Sequence, residues 1–410
     1  MKIYIFLTMC IGGISGNPSY VNNKVKWLQS KGWKTNVFDT FLYGNVPICY
    51  PELSIFAHNR VKELGYHLSW FSEKQRECVY KRISRIVDSD IFDEIVVESN
   101  SIILAEWGEL LAKLMHAKHL SYIIGENVVI KDKETFDLLY FKYRRNELFS
   151  ITEKSFENLF RNYLKIEDAN NHFWSARSTC NAENVKTSVF KDLPERDWTI
   201  THFGRRKQYF PDVIHDIITF ANKYSNKHIL FLIVGNNYNK NLVLKSFIST
   251  KNVVVRFIDP VVPIPQLLFD LSDVVIATAG CARISFHAGA KTISMDVENN
   301  RPLGVLGYTT IDTAFGSQSN ETRIGLFEHL SDVLIKKKYN GKPCMDIENE
   351  VEQHGYDYHI SFAFKSDGIY FDGVMPYRAY GKKERLDEIL VKKMRLIKLS
   401  IFLHSIKSIK

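Results

Sequence analysis

An apolar run, KIYIFLTMCI, opens the chain and gives way to a glycine turn, GGISGNPS, then to YVNNKVKWLQSKG and to KTNVFDT. Val21, Val25 and Leu28 fall on one face at helical spacing and Gly32 is placed to stop the helix, so this stretch predicts strand, turn, helix, strand. The same order recurs in FDEIVVES, a helix from about Ile103 to His116, and HLSYIIGEN. Residues 58–87 read as helical and polar, and residues 132–176, around YFKYRRNELF, as charged, aromatic-rich helices. From about residue 185 the alternation starts again: WTITHFG, a helix from Asp212 to Tyr224, HILFLIVGN, a helix near 239–249, VVVRFID, a helix Pro265–Leu271, DVVIATAG, a helix from Cys281 to Ala288, and KTISMDV. Short apolar strands alternating with helices predict parallel, doubly wound sheets covered on both faces.

Length and composition agree with two such units. At roughly 100–200 residues per domain, 410 residues make two domains. With 45% hydrophobic and 13% aromatic residues the chain can bury a sizeable core, which excludes a disordered or collagenous protein. We divide it into residues 1–185, residues 186–380 and a closing basic amphipathic helix, 381–410.

The formal net charge is +8, and residues 382–410, with nine basic and three acidic side chains, hold +6 of it. Two near-neutral domains with one basic end do not make a nucleic-acid-binding surface. On the tail, Leu386, Ile389, Leu390, Met394, Ile397 and Ile401 form an apolar stripe beside Lys392, Lys393, Arg395 and Lys398. Such a helix either packs on a domain or makes a peripheral contact with an anionic membrane. The six cysteines, at 10, 49, 78, 180, 281 and 344, form no Cys-x-x-Cys and read as free thiols of a reducing, cytoplasmic compartment. MKIYIFLTMCIGG reads as a first buried strand rather than a signal peptide, and no run approaches 18 apolar residues.

Candidate chemistry sits at strand ends. Gly12, Gly13, Ser15, Gly16 and Asn17 follow the first strand, where glycines let a backbone approach an anion at a helix N-terminus or merely allow tight packing. The run Gly-Gly-x-x-Gly lacks the dinucleotide fingerprint, which argues against a nicotinamide or flavin cofactor. In the second half His202, Gly204, Arg205, Arg206 and Lys207 end a strand, and guanidinium groups there suit a diphosphate. Thr278, Gly280, Arg283 and Ser285, followed by Lys291, occupy a strand-to-helix turn. A cation in the first turn of a helix is unfavourable unless an anion is bound there. Asp88 and Asp90 precede a strand instead of following one, and His116 and His119 lack a third ligand, so no metal site is expected. Two carboxylates, Glu98 in VVESN and Glu126 in IIGEN, stand where a general base could face a cleft, Glu126 being the stronger candidate.

These residues resemble the GT-B class of glycosyltransferases, in particular the family 4 type that uses nucleotide-sugar donors. The resemblance is carried by residues 3–39 and 198–296: Ser15-Gly16 stands where the family has Gly-Gly, HFGRR matches its strand-ending Gly-Arg, and LFLIVGN its strand ending in Val-Gly at Gly235. LLFDLSDVVIATAG corresponds to the helix and strand before the diphosphate turn. The resemblance implies two Rossmann-like domains facing a cleft, with a terminal helix crossing back to the first or left exposed. It also implies donor binding by Arg205, Lys207, Gly235, Gly280, Arg283 and Ser285, and an acceptor-side loop of Gly13, Ser15, Gly16 and Asn17. The family's paired glutamates are absent, Ala277 and Ser285 standing in their places.

The expectation is therefore a hexosyl-transferring enzyme that moves a sugar from a nucleoside-diphosphate donor to a glycan or lipid-linked acceptor in cell-surface polysaccharide synthesis. It would need neither cofactor nor metal, with Glu126 as the base that an inverting reaction requires. The alternatives are a nucleotide-sugar epimerase or hydrolase of the same fold, and an inactive scaffold.

Overall fold

A computed structural model describes residues 1–13, 16–40, 47–125, 132–174, 181–235, 238–316, 323–347 and 356–373. Ser15, Glu126 and the 381–410 helix lie outside the described residues.

The first sheet holds five parallel strands: β1 (Lys2–Thr8), β2 (Lys34–Asp39), β3 (Glu94–Ser99), β4 (Lys118–Ile123) and β5 (Leu148–Ser150), in the order β2-β1-β3-β4-β5. Side chains alternate across a strand, so β1 feeds two cores at once. Tyr4 and Phe6 pack with Val21, Val25 and Leu28 of helix α1 (Gly16–Ser30). Ile3, Ile5 and Leu7 pack with helices α2 (Glu73–Val87) and α3 (Ile102–Met115) on the other face. The strand order turns back between β1 and β3, which opens a crevice outside their carboxyl ends.

Two readings of this domain change. Residues 58–87 hold one long helix, α2, with only single 3-10 turns before it. A capping box between Ser72 and Gln75 starts α2, and Asp88, at φ 51°, ends it. Residues 132–176 are not all helical: α4 (Lys133–Arg144) is followed by β5, a buried LFS too short to display a period of two.

The chain leaves through β6 (Ala182–Glu183). The second sheet comprises β7 (Trp198–Phe203), β8 (Ile229–Val234), β9 (Val253–Ile258), β11 (Val274–Ala277), β12 (Thr292–Met295) and β13 (Pro302–Val305), while β10 (Ile264–Pro265) pairs with β6. The order is β13-β12-β11-β7-β8-β9, all parallel except the β12–β13 pair. Every residue of β8 is buried, as a strand covered on both faces requires. Helix α5 (Phe210–Lys223) lies on one face, and helix α6 (Ala279–His287) follows β11. The expected alternation is present; β13 is an additional antiparallel edge strand, with a register shift at Ser294/Met295. The order turns back between β7 and β11, so this domain's crevice opens at the ends of those two strands.

After the second sheet the chain returns to the first domain. Tyr356 and Ala363 of helix α7 (Tyr356–Lys365) enter the core that contains Tyr4 and Val25. Beyond it Lys118 Nζ donates to the Ser366 carbonyl, Tyr370 Oη to that of Ala117 at 2.9 Å, and the Phe371 amide to Glu109 at 2.8 Å. The return thus runs through 356–373, a stretch that the sequence reading counted with the second domain.

Candidate functional site at the strand ends of the second sheet

Three segments meet where the second sheet turns back. Gly204 follows β7 at φ 132°, and Gly235 follows β8 at φ 146°. A Cβ on Gly235 would stand 1.8 Å from the Gly204 carbonyl oxygen, so only glycine lets these strand ends pass. A Cβ on Gly204 would stand 3.2 Å from the sulfur of Cys281, in the first turn of α6. The start of α6 is therefore packed against the turn that carries Arg205, Arg206 and Lys207.

This N-terminus has no acidic residue in its first turn and no side-chain cap. The N-cap Thr278 instead donates its hydroxyl to the Thr313 carbonyl at 3.1 Å, and the Ala279 amide donates to the same oxygen at 2.6 Å. These two hydrogen bonds to one carbonyl accompany a φ of 51° at Ala279, in the left-handed region an alanine rarely occupies. The first amides of a helix lack partners within it, and those of Gly280 and Cys281 lie just beyond this bend. The Cys281 thiol is pushed up to about 11: burial outweighs the nearby charges of Arg205 and Lys207, so it is a neutral thiol at physiological pH. Arg205 is exposed, Arg206 and Lys207 half-buried. Arg205 and Lys207, close enough to act on the Cys281 thiol, stand beside this uncapped helix N-terminus and give a positive potential suited to a multiply charged anion, while Arg206 faces Phe210 and Asn239.

A neutral pillar supports these cations. His202 is fully buried, and burial pushes its imidazole down to about 3. Tyr238 Oη donates to the Gly204 carbonyl at 2.6 Å, so at 2.8 Å it accepts from His202 Nδ1–H. His202 Nε2 then has no hydrogen-bond partner. His202 therefore shapes the turn without contributing charge to it.

The predicted donor residues divide accordingly. Arg205, Lys207 and Gly280 come together here, and Gly235 acts through close packing. Arg283 lies further along α6, half-buried. Ser285 does not present its hydroxyl: it is buried and donates to the Cys281 carbonyl at 2.7 Å. Tyr238 and Thr313 were missed, since Thr313 meets Ala279 only through tertiary folding. A cavity of about 480 Å³ opens elsewhere, between Asp212 and Asp216 of α5 and the loop Asn299–Arg301; its volume marks space, but the cation cluster is not among its walls.

In the first domain the acceptor-side residues brace the loop. The Gly13 amide donates to Pro47 at 2.8 Å, and Asn17 Nδ2 to Thr8 Oγ1 at 2.8 Å and to the Cys10 carbonyl at 3.2 Å. Gly16 begins α1. Glu98 is withdrawn from any cleft. It is fully buried, ion-paired with Lys24, and accepts from Tyr4 Oη at 2.5 Å, Tyr20 Oη at 2.9 Å and Asn100 Nδ2 at 2.8 Å. Asp88 serves as a helix C-cap, and His119 is buried between Ser99 and Glu109. The five described cysteines are unpaired thiols, and no described helix is long and apolar enough to cross a membrane.

No family model and no curated protein matches this chain. Among solved structures it is similar to a glycosyltransferase from Rickettsia africae ESF-5, with a TM-score of 0.56 at 12% identity over 91% of this chain and 95% of that one. It is also similar to HepE from Anabaena in complex with UDP-glucose, with a TM-score of 0.50 at 10% identity over 96% and 100% of the two chains. A UDP-GlcNAc 2-epimerase from Methanocaldococcus jannaschii overlays at a TM-score of only 0.43 and 14% identity, over 88% and 100%, too low to bear on chemistry. At such identities the likeness is one of fold. The chain has the GT-B arrangement of two Rossmann-like domains.

Proposed function

We propose that the protein is a glycosyltransferase that takes a sugar from a nucleoside-diphosphate donor held by the second domain and transfers it to a hydroxyl of a glycan or lipid-linked acceptor. The observation that carries this reading is the meeting of Arg205 and Lys207 with the uncapped start of α6 at the turn-back point of the sheet. In the reaction the bond between the sugar's anomeric carbon and the diphosphate oxygen breaks, and its electron pair leaves on the diphosphate. A preorganised cluster of cations and amides stabilises the charge that develops there. The acceptor oxygen bonds to the anomeric carbon and its proton passes to a base, the role we assign to Glu126. Glu98 is excluded from it by its four bonded neighbours. The family's glutamates are not replaced by other carboxylates at Ala277 and Ser285, so the sugar and ribose must be recognised differently.

Titration calorimetry of the full chain with UDP, GDP and ADP tests the assignment. At least one should bind, and Arg205→Ala should weaken it about tenfold, the effect of losing one charge-assisted phosphate contact. Unchanged affinity in that variant would remove the donor site from this turn. With the binding nucleotide known, its sugar conjugates and an acceptor panel should give transfer that Glu126→Gln slows; conversion of the donor without acceptor would favour an epimerase or hydrolase instead.

A further inference from the structure

One contact crosses the cleft directly onto the segment that shapes the phosphate turn. Lys154, just after β5 of the first domain, places Nζ 3.4 Å from Glu298 Oε1 and 5.4 Å above the centre of the Phe315 ring. Both partners belong to the loops that follow β12 and β13 in the second domain.

Those loops form one hydrogen-bonded unit. Asp296, at the end of β12, accepts from the Glu298 amide at 2.8 Å and the Asn299 amide at 3.1 Å, and pairs with Arg323 at 2.6 Å. Burial alone would raise the Asp296 carboxyl; Arg323 and the two amides outweigh it and hold it below the usual range. The Val297 amide then donates to the Ala314 carbonyl at 3.0 Å, tying this loop to residues 313–315. The next carbonyl back, that of Thr313, receives both the Ala279 amide and the Thr278 hydroxyl. The ring under Lys154 and the carbonyl that keeps Ala279 left-handed are therefore only two residues apart in the chain.

We propose that Lys154 is a positioning residue for the anion turn: by gripping Phe315 and Glu298 from the opposite domain it holds Thr313 where it bends Ala279 and aims the Gly280 and Cys281 amides. Docking of the first domain and shaping of the donor turn are then one event, so a donor meets a fully formed turn only when the cleft is closed. The inference rests on the donor site proposed above. An exposed ion pair alone would be a weak fastening. The cation over the ring adds to it, and its place in the chain from Phe315 to Ala279 gives it leverage.

Calorimetric titration of the full chain with the nucleoside diphosphate that binds best decides the matter, alongside thermal unfolding. Lys154→Ala should weaken binding about three- to fivefold, and Lys154→Arg, which keeps the charge and stacks on rings, should restore it to within about twofold. Because glycine adopts the left-handed conformation unaided, the Lys154→Ala loss should shrink in an Ala279→Gly background. Wild-type affinity in Lys154→Ala would overturn the inference while leaving the donor site standing. So would a loss of affinity that only mirrors a lowered melting temperature. Failure of the wild-type protein to bind any of UDP, GDP and ADP would overturn both.

Discussion

Both sheets are doubly wound about a turn-back point, and they treat the charges near it differently. Around the first, ionisable groups are buried and paired with one another. Lys24 and Glu98 are fully buried with Tyr4 and Tyr20, and Lys24 Nζ lies 3.1 Å from His359 Nδ1 of the returning helix. A second cluster joins Glu109, Lys142, Glu147, His119 and Ser99, and Glu109 also takes the Phe371 amide. Ser99, His119 and Glu109 have the connectivity of a catalytic triad, yet a Cβ on Gly108 would stand 2.1 Å from Ser99 Oγ, so no substrate fits there. In the second domain the strand end is supported by an uncharged histidine and the cations stay at the rim. The first domain uses charge near its strand ends to hold itself together and to clamp the returning chain; the second buries one ion pair, Asp296–Arg323, but leaves the cations after β7 at the rim.

Breaking the first arrangement should have the largest effect. Lys24→Met would leave the Glu98 carboxylate buried among tyrosines with no cation, and removal of one partner of a buried pair costs about 3–5 kcal/mol. Urea unfolding should show a loss of that size, and the double change Lys24→Met with Glu98→Leu should recover most of it, since an apolar pair carries no desolvation penalty. A single-variant loss below about 1 kcal/mol would mean the pair is hydrated and the contrast between the domains is false.

The neutral pillar gives a pH signature of intermediate size. The folded His202 titrates near 3, well below the ordinary value for histidine of about 6.5, because burial disfavours the imidazolium. Between those values the unfolded chain binds a proton that the folded chain does not. The stability from a neutral His202 is therefore complete above about 6.5 and is lost as pH falls towards 3. Between pH 6.5 and 4.5 this amounts to about 2–3 kcal/mol, and His202→Gln, which cannot titrate, should lack that part of the decline. Glu109 contributes in the same direction at lower pH: burial would raise its carboxyl, but Lys142 and His119 hold it well below the carboxylate range. Its share persists until pH drops below about 4.3, so the His202 effect is seen first. An identical pH slope in His202→Gln would mean that His202 is not a neutral, desolvated group.

Local features of this fold were legible in the chain, and distant partnerships were not. The βαβ units, the glycine turns and the place of Arg205–Lys207 at a strand end were legible because period, apolar runs and turn residues are written over a few neighbouring positions. Glu98 read as a strand-end base because Lys24, 74 residues earlier, is what buries it. Ser285 read as a donor ligand because a hydroxyl one turn into a helix is equally able to bond back to the carbonyl four residues earlier, as it does. The returning helix, YDYHISFAFK, was hidden among polar residues, since its inward positions include His359 and Tyr356 rather than aliphatics. Thr313 carried no signal at all: its role is that of a backbone carbonyl, and any residue supplies one.

The bend at Ala279 sharpens the contrast between domains at the smallest energy. Among the described residues of the first sheet's glycine loop no non-glycine residue adopts such a conformation; there Gly13, at φ 77°, takes the left-handed position. At Ala279 the same bend is imposed on a residue with a Cβ, by the Thr313 carbonyl. For an L-residue the left-handed region costs about 1–2 kcal/mol, whereas glycine enters it freely but gives up about 0.4–1 kcal/mol through a more flexible unfolded chain. Ala279→Gly should therefore stabilise the protein by only about 0.5 kcal/mol, and Ala279→Val, branched at the crowded carbon, should destabilise it by more than that. Denaturant midpoints for the two variants check the signs. A stabilised valine variant would mean that residue 279 relaxes to an ordinary helical conformation, and the Thr313 carbonyl would then not set the start of α6 beside Arg205 and Lys207.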